Sequence, residues 1–556
     1  MTAQTGLQDR FVIEHLPESG QQPQYLFDVP QLQYPEKLNS AVELIDRHVQ
    51  QGRGQNIALR WLQDGQQKQM SYQALAQWTN QLARVLTEDL GLVSGNRLLL
   101  RGPNNVGMAG ALLACLKAGI VAVPTMPLLR ARELSAILRI SQAQAALCDE
   151  RLLQELAHCR NPDHPNYCPT LQQIVAFGNE GPDAVHAPDS MQARADTKSD
   201  APYDAQTLRD DPCMIAFTSG TTGKPKGCIH FHRDVLAMCD TFSSQVLQTR
   251  ETDIACGTPP LAFTFGLGGL LCFPLRAGGS TLLVEKLTPD AFLQIIADHK
   301  VTMTFTAPTF YRKMAALAEG YALDSLRICV SAGEALPDDT RQIWKKASGI
   351  NMTDGIGGTE MMHVYISSTG NDIRDGAIGR VVPGYQARVV DADMNEVPPG
   401  TLGRLAVRGP TGCRYLDDER QSRYVQQQWN LPGDAFVMDA DGYFYYRARD
   451  DDMIVSAGYN IAGPEVESVL MTHTAVNDCG VVGRSDAERG VIVKAYIVLN
   501  EGFTPDAGLV ATLQDYVKQE AAPYKYPREI EFVEQLPRTE TGKLQRFVLR
   551  KLAETR

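Results

Sequence analysis

Residues 218–227 combine small, hydroxylated and cationic side chains, which are the residue types that bind a polyphosphate. The segment is Thr-Ser-Gly-Thr-Thr-Gly-Lys-Pro-Lys-Gly. Its glycines let backbone amides approach phosphate oxygens, its hydroxyl groups add donors, and Lys224 or Lys226 offsets negative charge. It does not have the Gly-Lys-Ser or Gly-Lys-Thr ending of a Walker A loop. A surface turn without function is the alternative, and the order of residues favours a site for the phosphates of ATP.

Further segments place charged groups beside glycine-rich turns. They are 354–360 (Asp-Gly-Ile-Gly-Gly-Thr-Glu), 429–434 (Trp-Asn-Leu-Pro-Gly-Asp), 448–454 followed by Gly458, and 537–543 (Pro-Arg-Thr-Glu-Thr-Gly-Lys). A carboxylate next to a hydroxyl, as in Thr359 and Glu360, suits Mg²⁺ held on a triphosphate. The two oxygens of Asp434 suit the vicinal hydroxyls of a ribose.

Composition limits the class of protein. A chain of 556 residues exceeds one ordinary core, so two or more domains are expected. The net charge of −12 argues against a nucleic-acid partner, and no apolar run is long enough to span a bilayer. Twelve cysteines occur singly, without the spacing of a zinc site or a disulfide framework. We expect no membrane partner and a cytoplasmic location.

The order of predicted elements indicates an α/β fold. Residues 42–174 and 280–331 alternate helical periodicity with short apolar strands, among them a helix over 71–90 and a strand over 97–101. This alternation predicts parallel sheets layered with helices. Residues 179–211 are polar and predict an exposed loop before the phosphate segment. Short strands and Pro-Gly turns over 379–409 predict a small antiparallel barrel or sheet. The residues after about 450 predict a compact α+β unit.

The five motifs, taken in this order, resemble those of the adenylate-forming superfamily, which includes acyl-CoA synthetases, aryl-CoA ligases, luciferases and the adenylation domains of nonribosomal peptide synthetases. The resemblance implies a large N-terminal domain of βα-layered subdomains with a small β-barrel-like part (1–450) and a small mobile α+β C-terminal domain (451–556), with a hinge near Asp451. It implies a two-step ligase: a carboxylate and ATP give an acyl-adenylate and pyrophosphate, and the thiol of CoA then displaces AMP. ATP, Mg²⁺ and CoA are the expected cofactor and co-substrates.

The resemblance also assigns residues. Lys543 stabilises the first half-reaction, Glu360 and Thr222 hold Mg²⁺, and Asp451 lies at the hinge, so these four form the catalytic set. The nucleotide and CoA set comprises Thr218, Ser219, Gly220, Thr221, Thr222, Gly223, Lys226, Gly333, Glu334, Asp354, Gly355, Ile356, Thr359, Asp434, Arg449, Gly458 and Tyr459. Most relatives have an adenine-stacking Tyr where Ile356 stands, and this variant is associated with benzoate-type aryl-CoA ligases. Pro432 replaces the usual Thr before Gly433 and Asp434.

The segments 260–266 and 355–363 line the acyl pocket in relatives. The predicted substrate-binding residues are Phe263, Thr264, Phe265, Gly357, Gly358, His363 and Lys543. Two phenylalanines favour a planar ring over an open alkyl channel. His363 either contacts a ring substituent or is a structural histidine, and the sequence leaves both open.

The resemblance extends specifically to 2-aminobenzoate (anthranilate)-CoA ligases. It is carried by five further segments: 26–36, 99–105, 230–234, 259–269 and 409–415. Alternatives remain. The acid is benzoate or a hydroxybenzoate, the acceptor is a carrier-protein thiol, or the chain is a ligand-sensing binding protein that kept the fold. The oligomeric state is open, with a homodimer as one option. His230 and His232 are expected to pack beside the nucleotide site without a catalytic role.

Overall fold

A computed structural model describes residues 5–555 apart from 64, 179–180, 182–186, 220–223, 335, 450–451, 457–458, 487–489, 522, 539–541 and 543. The chain forms two compact units, one of Met1–Ala387 with Val407–Asn430 and one of Arg388–Ala406 with Leu431–Arg556. The predicted domain boundary at residue 450, with its hinge at Asp451, stays a prediction, and Asp451 is outside the described residues. Within the described part of the chain, no helix is long and apolar enough to cross a bilayer.

The strands of the first unit are β1 (Ile57–Gln63), β2 (Gln66–Ser71), β3 (Arg97–Arg101), β4 (Val121–Thr125), β5 (Ala145–Asp149), β6 (Gln173–Phe177), β7 (Pro212–Ser219), β8 (Pro225–Phe231), β9 (Ile254–Gly257), β10 (Ser280–Leu283), β11 (Met303–Thr306), β12 (Ile328–Ser331), β13 (Thr353–Gly357), β14 (Val364–Ser368) and β15 (Arg380–Val381). The residues of β16 (Gln386–Val390) and β17 (Leu402–Arg408) are divided between the units. The remaining strands are β18 (Val425–Gln426) and β19 (Trp429–Asn430) of the first unit, and β20 (Asp434–Met438), β21 (Phe444–Arg449), β22 (Met453–Ser456), β23 (Tyr459–Ala462), β24 (Val476–Asp486), β25 (Gly490–Leu499) and β26 (Glu529–Phe532) of the second.

The helices of the first unit are α1 (Phe11–Glu14), α2 (Arg47–Gln50), α3 (Tyr72–Arg84), α4 (Val106–Ala118), α5 (Ala131–Ser141), α6 (Leu153–Arg160), α7 (Met191–Ala195), α8 (His232–Met238), α9 (Thr264–Leu267), α10 (Phe273–Ala277), α11 (Pro289–His299), α12 (Pro308–Leu317), α13 (Asp338–Ser348) and α14 (Gln421–Tyr424). Those of the second unit are α15 (Gly463–Leu470), α16 (Ala507–Glu520) and α17 (Arg546–Thr555). Wider π-helical segments occur at Val42–Asp46, Val85–Asp89, Cys239–Leu247 and Gly268–Cys272.

Two largely parallel sheets organise the first unit. One has the order β6-β5-β3-β4-β7-β8, with only the last pair antiparallel. The other has the order β15-β14-β13-β12-β11-β9-β10-β1-β2, parallel from β13 to β1. The strands β3, β4 and β5 are buried along their whole length, as expected when helices cover both faces of a parallel sheet. The predicted α/β fold class is confirmed.

The second unit is built on antiparallel pairs. The strands β17, β20 and β21 pair in that order, and β22 and β23 form a hairpin. After them β24 pairs antiparallel with β25, which pairs parallel with β26. A core that includes Val466, Val481 and Leu513 joins these strands to α15 and α16. The switch from parallel to antiparallel pairing follows the predicted change of pattern after residue 379.

Two local predictions differ from the structure. The helix predicted over 71–90 is α-helical only to Arg84 and continues as the π-helical segment Val85–Asp89. The exposed loop predicted over 179–211 contains α7, in which Met191 and Ala195 are buried. Gln192 is also buried, and its Oε1 accepts a hydrogen bond of 2.7 Å from the indole of Trp78. The polar composition of this segment concealed these few inward-facing side chains.

Candidate active site

The phosphate segment is the tip of a hairpin formed by β7 and β8. Its stem is paired up to Ser219 opposite Pro225, and Thr218 lies opposite Lys226. The Thr218 hydroxyl oxygen is buried and makes no hydrogen bond with any described residue. A buried hydroxyl without a partner is costly, so this atom suits a bound ligand that supplies the missing bond. The tip residues Gly220, Thr221, Thr222 and Gly223 are outside the described part of the chain.

Lys226, Glu360 and Tyr415 form one cluster, which we call the Glu360 cluster. Lys226 Nζ lies 3.3 Å from Glu360 Oε1 and donates to the Tyr415 hydroxyl at 2.6 Å. The same hydroxyl donates to Glu360 Oε1, also at 2.6 Å. The side chains of Lys226 and Glu360 are 17% and 12% exposed, so the ion pair is only partly solvated. The predicted metal-binding carboxylate and phosphate-binding lysine are therefore adjacent.

The fold fixes Tyr415 next to Lys226 through backbone pairing. The amide of Ile229 donates to Arg414 O at 2.8 Å, and the amide of Leu416 donates to Gly227 O at 2.9 Å. Cys228 is thereby placed opposite Tyr415. This edge pairing adds residues 414–416 to the open side of β8.

Arg414 anchors the same segment from behind. Its guanidinium is fully buried, donates to Asp234 Oδ2 at 2.7 Å, and lies 4.2 Å from the ring centre of Tyr25 and 4.0 Å from that of Phe231. Breaking a buried ion pair by removing one partner typically destabilises a protein by about 3–5 kcal/mol. The main chain at residue 415 is therefore held both by the backbone pairing with β8 and by the buried ion pair of Arg414.

The hairpin β13–β14 carries four predicted nucleotide or pocket residues. Asp354 pairs with Ser368, Gly355 with Ser367 and Ile356 with Ile366, after which a bulge shifts the register at Gly357. The 3-10 turn Thr359–Met361 at the tip contains Thr359 and Glu360. The strand β13 and the turn after it therefore carry the predicted adenine, acyl-pocket and metal residues in succession.

Asp354 is a buried carboxyl. Burial raises its pKa to about 7, against a smaller opposing effect of the Arg341 guanidinium and of the hydrogen bond from the Gly355 amide. The neighbouring strand β12 brings Ser331 opposite Asp354, and the predicted residues Gly333 and Glu334 follow at its carboxyl end. Ligands in such sheets bind beyond the carboxyl ends of the strands, so these positions fit a nucleotide.

His363 lies in a cluster with Phe242, Phe265 and Phe273, which we call the aromatic cluster. The ring centres of these phenylalanines are 5.4, 5.7 and 4.6 Å from that of His363. Burial lowers the pKa of His363 to about 3, with a smaller opposing effect of the Phe265 backbone. The ring is therefore neutral. Neither ring nitrogen makes a well-aligned hydrogen bond with a described residue, and the Phe265 backbone is a polar group close to the ring.

Glycines allow the chain to approach His363 closely. A Cβ atom at Gly268 would lie 2.5 Å from His363 Cδ2, and one at Gly357 would lie 2.6 Å from the His363 carbonyl oxygen. Neither distance is possible for a real side chain without displacement of the histidine. The predicted residue Gly358 is less crowded, because its Cβ would meet only Glu360 Oε2 at 3.4 Å and the Tyr424 hydroxyl.

The predicted acyl segment is held by Asn104. Its Nδ2 donates to Pro259 O at 2.9 Å and its Oδ1 accepts from the Leu261 amide at 2.7 Å. The short helix Thr264–Leu267 follows, in which Thr264 is buried, while Phe263 precedes it and is half-buried. Phe265, from the same helix, packs edge-on against Phe305 and contacts the aromatic cluster. Of the predicted pocket residues, the structure brings Phe265 and His363 together.

In the second unit, Asp434 and Arg449 face each other on β20 and β21. Arg449 Nη1 donates to Asp434 Oδ1 at 3.2 Å, and Asp434 is buried whereas Arg449 is exposed. Gly433, with a φ of 80°, adopts the left-handed conformation that glycine favours, and a Cβ there would lie 3.1 Å from Arg449 Nη2. The predicted ribose carboxylate is thus oriented by the predicted arginine.

Several predicted residues cannot be placed. Lys543, Gly458 and Asp451 are outside the described residues, and Ser219 and Tyr459 are known only as backbone positions of β7 and β23. Conversely, the structure adds Tyr415, Tyr424, Phe242 and Phe273, which the sequence motifs did not assign. Tyr415 ends a segment that resembles relatives, but no pattern linked it to Glu360.

The family models match most of the chain. Residues 45–414 match the model described as AMP-binding enzyme, and residues 465–543 match the AMP-binding enzyme C-terminal domain. The chain belongs to the AMP-binding enzyme family. This finding confirms the predicted adenylate-forming superfamily and, with the relatives below, the enzyme class of acid–thiol ligases.

Several named proteins are similar to this AMP-binding enzyme over nearly its whole length. A benzoate–CoA ligase of Thauera aromatica is 34% identical, over 94% of this chain and 97% of the relative. A solved anthranilate CoA ligase, AuaEII in complex with anthranoyl-AMP, is 33% identical with a TM-score of 0.84, covering 95% of this chain and 99% of that one. A benzoate CoA ligase of Burkholderia xenovorans LB400 is 30% identical with a TM-score of 0.80, covering 92% and 100%.

Proposed function

We propose that this protein is an ATP-dependent aryl-CoA ligase that activates an aromatic carboxylate, 2-aminobenzoate by preference, as the acyl-adenylate and transfers it to CoA. The observation that carries the proposal is the aromatic cluster around a neutral His363 beside the predicted acyl segment. Flat aromatic walls suit a planar ring, which stacks or packs edge-on against them. The twelve cysteines are all free and buried, which agrees with the expected cytoplasmic location.

His363 is the residue that favours an amino substituent. A neutral imidazole has one acceptor nitrogen and one donor nitrogen, and the Phe265 backbone is close enough to favour the donor. The 2-amino group of the acid donates hydrogen bonds and would bind the acceptor nitrogen. Benzoate offers no such group. The names of the relatives, two benzoate ligases and one anthranilate ligase, support this substrate class.

The chain's own residues divide the work of the first half-reaction. Lys226, at the end of the phosphate hairpin, would neutralise phosphate oxygens, and Asp354 in its ionised form would accept from the adenine amino group. Asp434, oriented by Arg449, would bind the ribose hydroxyls with its two carboxylate oxygens. Lys543 would bridge the substrate carboxylate and the α-phosphate, where a point charge stabilises the transition state. In the second half-reaction, Gly458 and Tyr459 would line the passage for the pantetheine thiol.

Glu360 is the residue that would hold Mg²⁺. No group of three or more His, Cys, Asp or Glu side chains suited to a metal occurs among the described residues, so a cage made wholly by the protein is not the expected arrangement. Mg²⁺ is typically bound through one or two carboxylates together with substrate phosphates and water, and a single partly buried carboxylate next to Lys226 fits that pattern. When bound, the ion would neutralise phosphate charge and orient the triphosphate.

A panel of acids tests the proposal. Pyrophosphate release and AMP release are measured with 2-aminobenzoate, benzoate, the hydroxybenzoates and a medium-chain alkanoate, each with CoA as acceptor. The expected result is the highest kcat/KM for 2-aminobenzoate and little turnover of the alkanoate. A preference for benzoate would overturn the choice of substrate, and a preference for the alkanoate would overturn the aryl class. Turnover with a carrier protein but not with CoA would overturn the acceptor.

A further inference from the structure

Tyr415 is the third member of the Glu360 cluster, and neither the motifs nor the family description assign it a role. Its side chain is 1% exposed and its hydroxyl lies between Lys226 Nζ and Glu360 Oε1, at 2.6 Å from each. An ordinary phenol keeps its proton at physiological pH, so the Tyr415 hydroxyl donates to Glu360 and accepts from Lys226.

The two partners of Glu360 differ in what happens when a nucleotide binds. Lys226 is a cation on a flexible stem, and phosphate oxygens compete with Glu360 for it. Tyr415 is uncharged and its main chain is tied to β8 and, through Arg414, to the core. Tyr415 would therefore keep its hydrogen bond to Glu360 if Lys226 moved away to bind phosphate.

We infer that Tyr415 is a positioning residue for the metal site: its hydroxyl holds Oε1 of Glu360 and so directs the carboxylate toward the metal ion that bridges to ATP. This rests on the proposed role of Glu360. Oε2 lies outside the two contacts of Oε1 and faces the side of Gly358, where a Cβ would be 3.4 Å away. One oxygen is fixed by the protein, and the carboxylate is thereby pre-oriented before the metal arrives.

The Tyr415 ring itself contributes a second constraint. Lys226 Nζ lies 4.6 Å from the ring centre, and the ring packs edge-on against Tyr424. The substitution Tyr415→Phe therefore keeps the ring, its packing and the cation contact, and removes only the hydroxyl. Tyr34→Phe is the matched control, because it likewise removes a tyrosine hydroxyl that donates to a carboxylate, Asp240 Oδ2 at 2.9 Å, but Tyr34 does not belong to the Glu360 cluster.

The test is direct binding of ATP by calorimetry in the absence of any aromatic acid, once with excess Mg²⁺ and once with EDTA. For Tyr415→Phe we expect the Kd with Mg²⁺ to rise about tenfold, the usual effect of losing one hydrogen bond to a charged group, and the Kd with EDTA to change less than twofold. Tyr34→Phe should match the wild type in both conditions. Unfolding temperatures of all three proteins are compared, and they should agree within a few degrees.

Each other outcome has a separate meaning. Equal weakening with Mg²⁺ and with EDTA would overturn the inference, because Tyr415 would then act on the nucleotide or the fold and not on the metal ligand. Unchanged binding by Tyr415→Phe, with a wild type that needs Mg²⁺, would overturn it alone and leave the role of Glu360 standing. A wild type that binds ATP equally with Mg²⁺ and EDTA would overturn the role of Glu360 and the inference together.

Discussion

Asp434 and Arg449 are directly opposed on adjacent antiparallel strands, and the guanidinium of Arg449 donates to one carboxylate oxygen of Asp434. The arrangement orients a buried carboxylate with an exposed cation, 7% against 45% side-chain exposure. Exposed arginines in ion pairs contribute little to stability, so removing Arg449 should cost the fold little.

Removing the Asp434 carboxylate should weaken the binding of ATP and abolish the preference for a ribose that carries both hydroxyls. We expect Asp434→Ala to raise the KM for ATP roughly a hundredfold, since two hydrogen bonds to a charged group are lost. The measurement compares ATP with 2′,3′-dideoxy-ATP. The wild type should prefer ATP strongly and the variant should not, whereas Arg449→Lys should keep the preference with a smaller loss. A variant that still discriminates would contradict the ribose assignment.

Asp354 should make ATP affinity depend on pH. Its pKa is raised to about 7 by burial, so the ionised form that accepts from an amino group gains population as the pH rises from 6 to 8. ATP binding should tighten over that interval in the wild type and stay level in Asp354→Asn. Titrations of ATP at fixed Mg²⁺ across this pH range give the answer, and parallel profiles for the two proteins would exclude Asp354 from adenine recognition.

The same carboxyl should act on folding with the opposite sign. The pKa of Asp354 in the folded state is above the unfolded value of 3.8, because burial penalises the ionised carboxylate. Below about pH 4 the carboxyl is neutral in both states and has no effect on the free energy of unfolding. That free energy falls as the pH rises from about 4 to about 7. The loss is on the order of 4 kcal/mol at most. Denaturant titration measures the free energy of unfolding of the wild type and of Asp354→Asn. Over this pH interval the variant should become more stable relative to the wild type. A constant difference would show that Asp354 titrates alike in the folded and unfolded states, so that burial does not raise its pKa.

His363 should determine the ring substituent and not the reaction. We expect His363→Leu to retain benzoate turnover and to lower kcat/KM for 2-aminobenzoate roughly tenfold, the usual effect of one lost hydrogen bond in a buried site. The pKa of His363 is about 3, so this histidine should cause no step between pH 5 and 9 in the pH profile of kcat/KM for either acid. Equal losses for both acids would instead indicate a packing role within the aromatic cluster.

Lys543 should separate the two half-reactions. Lys543→Ala should strongly impair formation of the adenylate, because no other cation would bridge the carboxylate and the α-phosphate, but should spare transfer to CoA from supplied acyl-adenylate. Pyrophosphate release and thioester formation are assayed separately. Lys543→Arg serves as the control that keeps the charge and alters its geometry. An equal loss in both steps would remove Lys543 from its assigned position.

The sequence predicted those parts of the site that depend on neighbours along the chain. The strand at 97–101, the βα alternation and the residues 354–363 are local patterns, and they appear in the structure at or near the predicted bounds. The Glu360 cluster shows what local patterns omit. Tyr415 is 55 residues from Glu360 and 189 from Lys226, and only the pairing of residues 414–416 with β8 brings the three together.

The aromatic cluster failed prediction for a related reason. Phe242 and Phe273 belong to the π-helical segment Cys239–Leu247 and to α10, whose apolar side chains resemble ordinary core residues in the sequence. Their position around His363 depends on a Gly at 268, where any side chain would collide with the imidazole. A glycine in an apolar run gives no indication of which distant ring it accommodates.

The phosphate segment sits at the tip of a hairpin whose stem is paired from Pro212 to Phe231. Register in such a stem is set by the strands, and a change in tip length leaves the facing pairs in place as long as the stem holds. The stem therefore keeps Lys226 opposite Thr218 and next to Glu360 whatever residues join the two strands at the tip. The position of this lysine is a property of the sheet and does not depend on the predicted phosphate-binding residues between the strands.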